Sequence, residues 1–325
     1  LVIYGIMTET SIRDLFAAGF LPGLLGVFFY LMAVQWVVIR NPETGPRAER
    51  YGWVARLEAL SRVGWTVVLF VGVMGGIYTG AFTPNEAAGV GALGAFLIAL
   101  LRGSLTPTAP DGFSPITAIV GGLFRGRADR EAAGALGRFL AAIVLFWRMD
   151  WHSLRDIFTD TVRTTAGLFI VLIGALIFSN FVTRAGLPTA LSEMISNTGL
   201  DAYLVIVVIV LIYIVLGCIF ESLSMLLLTI PVFFPVEKTL AGDLGIDPRY
   251  VLVWFGIVAV VVTEISLITP PIGLNVFVLS GVLHDVKTTT IFKGVTPFWV
   301  ADILRLTVLI AVPAISLVLP RLLYG

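Results

Sequence analysis

Cysteine, histidine and charge are all scarce in this sequence. Its 325 residues hold one cysteine, Cys218, and two histidines, His152 and His284. A single cysteine excludes an intrachain disulfide. The histidines stand far apart near charged loop residues, and neither has a Cys or His partner at metal-ligand spacing, so both are expected to be solvated. No Ser/His/Asp grouping, Gly-rich phosphate loop or Walker lysine is present. Charged residues make up 13% of the chain and the formal net charge is zero, against about 25% charged in a soluble domain. Nothing points to a nucleic-acid partner, and no organic cofactor is expected. These absences favour transport or a structural role over catalysis.

What is abundant is apolar, at 58% hydrophobic residues. Such a chain is expected to be an all-α polytopic membrane protein, its helices stacked around one membrane domain. The most informative stretch is Ile265 to Asn275, ISLITPPIGLN, inside an apolar run from about Val251 to Val282. That run would cross a bilayer, which takes about 20 apolar residues, yet Pro270 and Pro271 interrupt it. Each lacks a backbone N–H and disfavours helix in the residue before it. Gly273 loosens the backbone further. The helix is therefore predicted to stop near Thr269 and restart near Ile272. Broken backbone at membrane depth persists only where protein or a watery cavity satisfies the freed groups. Free carbonyls, a helix N-terminus and the side chains of Thr269 and Asn275 make a natural ion or anion site. The bland alternative is a proline kink, which the Thr-Pro-Pro-x-Gly-x-Asn cluster disfavours.

Residues 1–40 open with an apolar run that reads like a helix already under way, so a preceding segment is expected. Ser11 to Ala18 reads as an amphipathic arm, and Gly19-Phe20-Leu21-Pro22 as the start of a span to about Ile39. Residues 41–63 form a loop whose Arg47, Arg50, Arg56 and Arg62 place it in the cytoplasm, with an interfacial helix over Ala48 to Leu60. Residues 64–102 hold two spans, Gly64 to Thr79 and Pro84 to Arg102. Between them Thr83, Pro84 and Glu86 make a helix start that needs no functional explanation. Residues 103–150 read as a cytoplasmic insertion, Gly103 to Ala132, followed by an apolar surface helix, Ala133 to Trp147.

Residues 151–325 carry the chemistry. Ser153 to Thr164 is a second arm. Gly167 to Val182, interrupted by Gly174, reads with Leu187 to Ile195 as a re-entrant hairpin whose tip lies near Ala175 to Asn180. Two ordinary short helices are the alternative. Ser179 and Asn180 are polar at that depth. Glu221, Ser222 and Ser224 then interrupt a long apolar run, with Gly217 free to unwind just before them. An ionisable residue there points to function, with a scaffold salt bridge as the alternative. Glu264, just before the prolines, faces the same choice. Lys287 to Lys293 is a further arm and Pro297 to Leu319 the last span.

The two ends echo each other. LVIYG is followed by SIRDLFAAGFLP, and FVLSG by TTTIFKGVTP. Both show an apolar run to Gly, a hydroxyl-rich arm and Gly-x-x-Pro, at Gly19 to Pro22 and Gly294 to Pro297. The charge bias puts the arms on opposite sides, as inverted repeats require, and such repeats place the site near the midplane between them.

Three motifs now carry a family resemblance. GGIYTGAFTPNEAAGVGA (Gly75 to Ala92), the Glu221 region ending in TIPVFFP, and EISLITPPIGLNVFV (Glu264 to Val278) resemble the large membrane subunit of TRAP transporters, the tripartite ATP-independent periplasmic transporters. The similarity covers nearly the whole chain except about Gly103 to Ala132. It implies an elevator-type, sodium-coupled importer of organic acids, such as C4-dicarboxylates, in the bacterial inner membrane. Its implied partners are a small membrane subunit and a periplasmic substrate-binding protein. Members usually carry a first hairpin and a Pro-Pro-Ser break before the position of Leu1. Here Ser266 stands where they usually have Gly, which is expected to tighten or re-aim the site.

Taken with the broken helices, the resemblance implies a sodium site from Ala175, Ser179, Glu221, Ser222, Thr269, Pro270 and Gly273. Backbone carbonyls at the two breaks and hydroxyls of Ser179, Ser222 and Thr269 would be the ligands. Asn180, Ser224 and Asn275 would contact substrate. Two rival classes stay open. A proton-coupled transporter or antiporter would use Glu221 or Glu264, and a polytopic membrane enzyme would need a partnered histidine or paired acids.

Overall fold

A computed structural model describes residues 1–45, 52–101, 151–283 and 286–325. The expected insertion at 103–132, the surface helix at 133–147, the start of the 48–60 helix, Arg47, Arg50 and His284 lie outside these residues. Every regular element among the described residues is helical. They fall into two compact units, Glu49–Phe169, and Leu1–Ala48 with Ile170–Gly325.

In the larger unit α1 is Val2–Thr8 and α2 is Ile12–Arg40, followed by a 3-10 turn at Pro42–Thr44. The smaller unit holds α3, Trp53–Tyr78, and α4, Pro84–Leu101. The helix α5, Trp151–Arg184, runs from the smaller unit into the larger. The larger unit continues with α6, Leu187–Thr198; α7, Ala202–Gly217; α8, Ser222–Leu240; α9, Pro248–Ser266; α10, Leu274–Val282; α11, Thr288–Ala311; and α12, Ala314–Tyr324. By length and composition α2, α5, α8, α9 and α11 are each able to cross a membrane.

The smaller unit is built around the α3–α4 hairpin. Its turn follows the sequence reading closely. The Thr83 backbone N–H donates to Glu86 Oε2 at 2.8 Å, and the Glu86 N–H donates back to Thr83 Oγ1 at 3.3 Å. This reciprocal capping box satisfies two orphan donors at the start of α4. Small residues bring the helices together: Gly94 accommodates the Leu69 side chain and Gly76 the Phe82 ring.

In the larger unit α9 is the buried axis. It is apolar on nearly every face, and a helix apolar all round is a buried one. It packs on α7, α8, α2 and α11. Asp247 caps it by accepting from the Arg249 N–H at 2.8 Å, with Pro248 in the first position. Gly256 leaves room for the Tyr4 ring, whose hydroxyl donates to Leu252 O at 2.9 Å. On another face Trp254 Nε1 donates to Leu309 O at 2.9 Å. Leu309 is four residues before Pro313, which has no N–H to give it, so the indole replaces a missing helical donor.

Four expectations about boundaries are corrected. The interfacial helix ending at Leu60 is not separate from the following span, because α3 runs through Gly64. The arms at Ser11, Ser153 and Lys287 likewise continue into α2, α5 and α11. Pro22 and Pro297 do not open spans but lie inside their helices. The last span does not reach Leu319, because α11 ends at Ala311 and Pro313 starts a new helix. An isolated Gly costs a helix only about 1 kcal/mol, and a helical Pro is tolerated where packing holds the kink. The α5 helix has 34 residues, or about 50 Å at 1.5 Å per residue. That exceeds the about 30 Å of a bilayer core, so the Arg155 to Arg163 end reaches polar surroundings. His152 there is 82% exposed, with Nδ1 3.3 Å from Asp156.

Trp254→Phe keeps the ring and removes the N–H. It is expected to lower the stability of the detergent-solubilised full-length protein by about 1–3 kcal/mol, the cost of an unpaired buried carbonyl. An unchanged unfolding temperature would show that Leu309 O finds another donor.

Candidate functional site

The chain breaks twice within the larger unit, and the two breaks touch. The first runs from the end of α7 at Gly217 to the start of α8 at Ser222. The second runs from the end of α9 at Ser266 to the start of α10 at Leu274. The sequence predicted a stop near Thr269 and a restart near Ile272, so the gap is wider than expected. A Pro270-Pro271 peptide bond in the cis form and Gly273 at φ +54° occupy it.

The contact between the breaks is tight. A Cβ built on Gly217 would overlap the Ser266 side chain, which is fully buried and donates to Thr263 O at 2.6 Å. One residue on, Cys218 Sγ lies 3.7 Å from Thr269 O and 3.8 Å from Pro270 O. Its nearest acceptor is Ile214 O at 3.2 Å. A thiol has one proton, so donation to Ile214 leaves the Thr269 and Pro270 lone pairs available. Among the described residues, the carbonyls of 217–220 and 268–272 accept no backbone N–H bond. The Cys218 side chain of the first break therefore reaches the Thr269 and Pro270 carbonyls of the second.

Each sequence candidate has a definite place. Glu221 is not a mid-helix acid, and no ion pair to it occurs among the described residues. It is the N-cap of α8, and its Oε2 accepts from the Ser224 N–H at 3.1 Å and the Ser224 hydroxyl at 3.4 Å. Ser222 opens α8 and is half-buried. The Thr269 hydroxyl is committed twice, donating to Ile265 O at 2.7 Å and accepting from Trp299 Nε1 at 2.8 Å. Its carbonyl is the freer group. The Asn275 N–H returns to Leu267 O at 3.1 Å, which ties the second break across itself, and its side chain is exposed. Gly273 is the N-cap of α10 and offers no side chain, so that helix start is uncapped.

The hairpin tip is corrected. No turn occurs at Ala175 to Asn180, because α5 is continuous through Gly174 to Arg184. The chain turns instead at Ala185 and Gly186, with Gly186 at φ +74°. The motif Thr-Arg-Ala-Gly-Leu-Pro was the stronger stop signal, since Gly favours the left-handed residue past a helix end and Pro a helix start. Ala175 is buried, Ser179 half-buried, and the exposed Asn180 donates to Leu176 O of its own helix at 3.0 Å. Among the described residues no hydrogen bond joins these three to either break.

The sequence reading missed a polar group on α11. Asp302 is 4% exposed and accepts from the Tyr30 hydroxyl of α2 at 2.6 Å. Arg305 Nη1 lies 3.4 Å from Asp302, in space left by the absent side chain of Gly26. Glu264 is exposed on α9. The signal was present: an acid and a base three apart in an apolar helix are expensive unless paired.

Comparison with known proteins sharpens this geometry. The model of the tripartite ATP-independent periplasmic transporter family, DctM component, matches residues 1–109 and 112–315. The C4-dicarboxylate TRAP transporter large permease protein DctM of Pseudomonas aeruginosa is 29% identical over 99% of this chain and 62% of its own length. A Vibrio cholerae protein of the same description is 30% identical over 100% and 64%. The Sialic acid TRAP transporter large permease protein SiaM of Vibrio cholerae is also 30% identical, over 100% of this chain and 64% of its own. The chain thus spans less than two thirds of the length of these relatives.

Gly217→Ala forces the new methyl onto Ser266. It is expected to destabilise the full-length protein by about 1–3 kcal/mol, as overpacking does. Adding Ser266→Gly should recover most of that loss in a double-mutant cycle. Purely additive effects would show that the two positions do not touch.

Proposed function

The chain belongs to the DctM-component family of tripartite ATP-independent periplasmic transporters, and from that membership we propose that it forms the large permease subunit of a sodium-coupled importer of organic acids. In this reading it is a multi-pass protein of the bacterial inner membrane. It works with a small membrane subunit and a periplasmic binding protein, and carries its site across the membrane in an elevator movement. Two of its relatives are named for acids, a C4-dicarboxylate and sialic acid, so an anionic carboxylate is the substrate class. All the relatives cited are named permeases, which sets the membrane-enzyme reading aside.

The observation that supports the sodium reading is the approach of the Thr269 and Pro270 carbonyls to Cys218 of the first break, where neither segment's carbonyls accept a backbone N–H among the described residues. A hard cation takes oxygen ligands, and unwound transporter helices supply them as backbone carbonyls. The carbonyls of Thr269 and Pro270, with those of 217–220, are the proposed ligands. Pro270 and Pro271 have no N–H with which to satisfy neighbouring carbonyls, so the segment stays open to an ion. Ser222 stands at the same break and is a further oxygen donor. In this reading Glu221 acts through its cap, holding the start of α8, rather than as a ligand.

Charge then decides where substrate goes. The start of α8 already has a carboxylate on its positive end, whereas the start of α10 has none. An anion is favoured at the free end, beside Asn275 and next to the bound cation. Sodium offsets the negative ends of the carbonyl dipoles, so substrate binds well only after it. This order gives coupling without any residue changing its charge. A proton-coupled rival would instead work through the exposed Glu264.

Proteoliposomes holding the full-length permease with its small subunit and binding protein supply the test. Uptake of the cognate acid should require an inward sodium gradient. Equal uptake with potassium alone contradicts the proposal, and uptake driven by a pH gradient without sodium favours the rival.

A further inference from the structure

The geometry points to Trp299 as a positioning residue for the carbonyls of the second break, an inference that rests on the cation reading above. The segment from Ile268 to Ile272 has no backbone hydrogen bond to hold its carbonyls. Something else must orient them, and α11 contacts both ends of the segment. Trp299 Nε1 donates to Thr269 Oγ1 at 2.8 Å. Two turns earlier, on the same face, Phe292 lies against Gly273, where a built Cβ would stand 3.2 Å from its Cε1. One turn later, on that face, Asp302 accepts from Tyr30 of α2 at 2.6 Å. That bond ties the same stretch of α11 to α2.

Donor counting fixes what Trp299 does. Thr269 has one hydroxyl proton, and Ile265 O receives it at 2.7 Å. The indole N–H fills an acceptor lone pair of the same oxygen. A hydroxyl held from both sides pins the Thr269 side chain. It thus sets the peptide plane whose carbonyl stands 3.7 Å from Cys218 Sγ. Without the indole N–H the carbonyl swings over a wider range, and the ion must order it on binding. Pre-organisation of this kind appears as affinity. Trp299 touches neither ion nor substrate.

The test uses the full-length transporter assembly and two readouts: the rise of unfolding temperature with sodium, measured without substrate, and the sodium concentration for half-maximal uptake. Trp299→Phe keeps the ring and removes the donor. It should require about fivefold more sodium in both, the equivalent of one hydrogen bond, with little change in uptake rate at saturating sodium. Trp254→Phe is the matched control. It removes an indole bond away from the breaks, so it should lower the unfolding temperature and leave the sodium requirement unchanged. Thr269→Val removes the same bond from the other side and serves if Trp299→Phe does not fold. In the Thr269→Val background, Trp299→Phe should add nothing. An unchanged sodium requirement in Trp299→Phe, or shifts that add to those of Thr269→Val, overturns the role of Trp299 while leaving the cation reading intact. A wild-type assembly with no sodium-dependent stabilisation overturns both.

Discussion

Gly217 has no side chain, and Ser266 fills the space it leaves. This contact brings the end of α7 against the end of α9. A helix end carries carbonyls without intrahelical partners. Placing two such ends together brings carbonyls without backbone partners into one region, partly buried and partly exposed. Residues 219–220 and 270–272 are exposed, so water or, in the proposed reading, a cation can meet these carbonyls. Ser266 is tied into the end of its own helix. Its hydroxyl bonds back to Thr263 O at 2.6 Å, and its bulk sets how closely the two ends approach.

Proline and indole recur as a pair in this fold. Pro313 denies a donor to Leu309 O, and Trp254 supplies one. Pro270 and Pro271 leave the second break without donors, and Trp299 holds the neighbouring Thr269 hydroxyl. The first pair satisfies the one carbonyl that Pro313 leaves without a donor. The second holds a side chain and leaves the carbonyls free. The difference between the two pairs lies in whether the indole reaches a carbonyl or a neighbouring hydroxyl.

The sequence disclosed its breaks better than its continuities. Pro270, Pro271 and Gly273 were legible because no interior helix position suits them together. Gly217 before Glu221 was legible because an acid in an apolar run requires a reason. Thr83 with Glu86 was legible because capping is local. The continuities were not. Gly174 looked like a break before a hairpin tip at Ala175 to Asn180, but one Gly costs a helix about 1 kcal/mol, which α5 absorbs. Pro22 and Pro297 looked like helix starts, yet packing between α2 and α11 holds both inside helices. The buried Asp302 with Tyr30, and the bond from Trp299 to Thr269, depend on contacts between segments hundreds or tens of residues apart, and no local pattern encodes those partners. The role of Glu221 fell between the two readings offered for it, since an N-cap needs only the helix it starts.

The central claim is that the two breaks form one cation site made of backbone carbonyls. Anomalous diffraction from crystals of the full-length transporter, with thallium(I) replacing sodium, tests it most directly. The account predicts a thallium peak between the carbonyls of 217–220 and those of Thr269 and Pro270, competed away by sodium. A sodium-competed peak elsewhere, beside Glu264 or on α5 around Ser179, with none between the breaks, would contradict it.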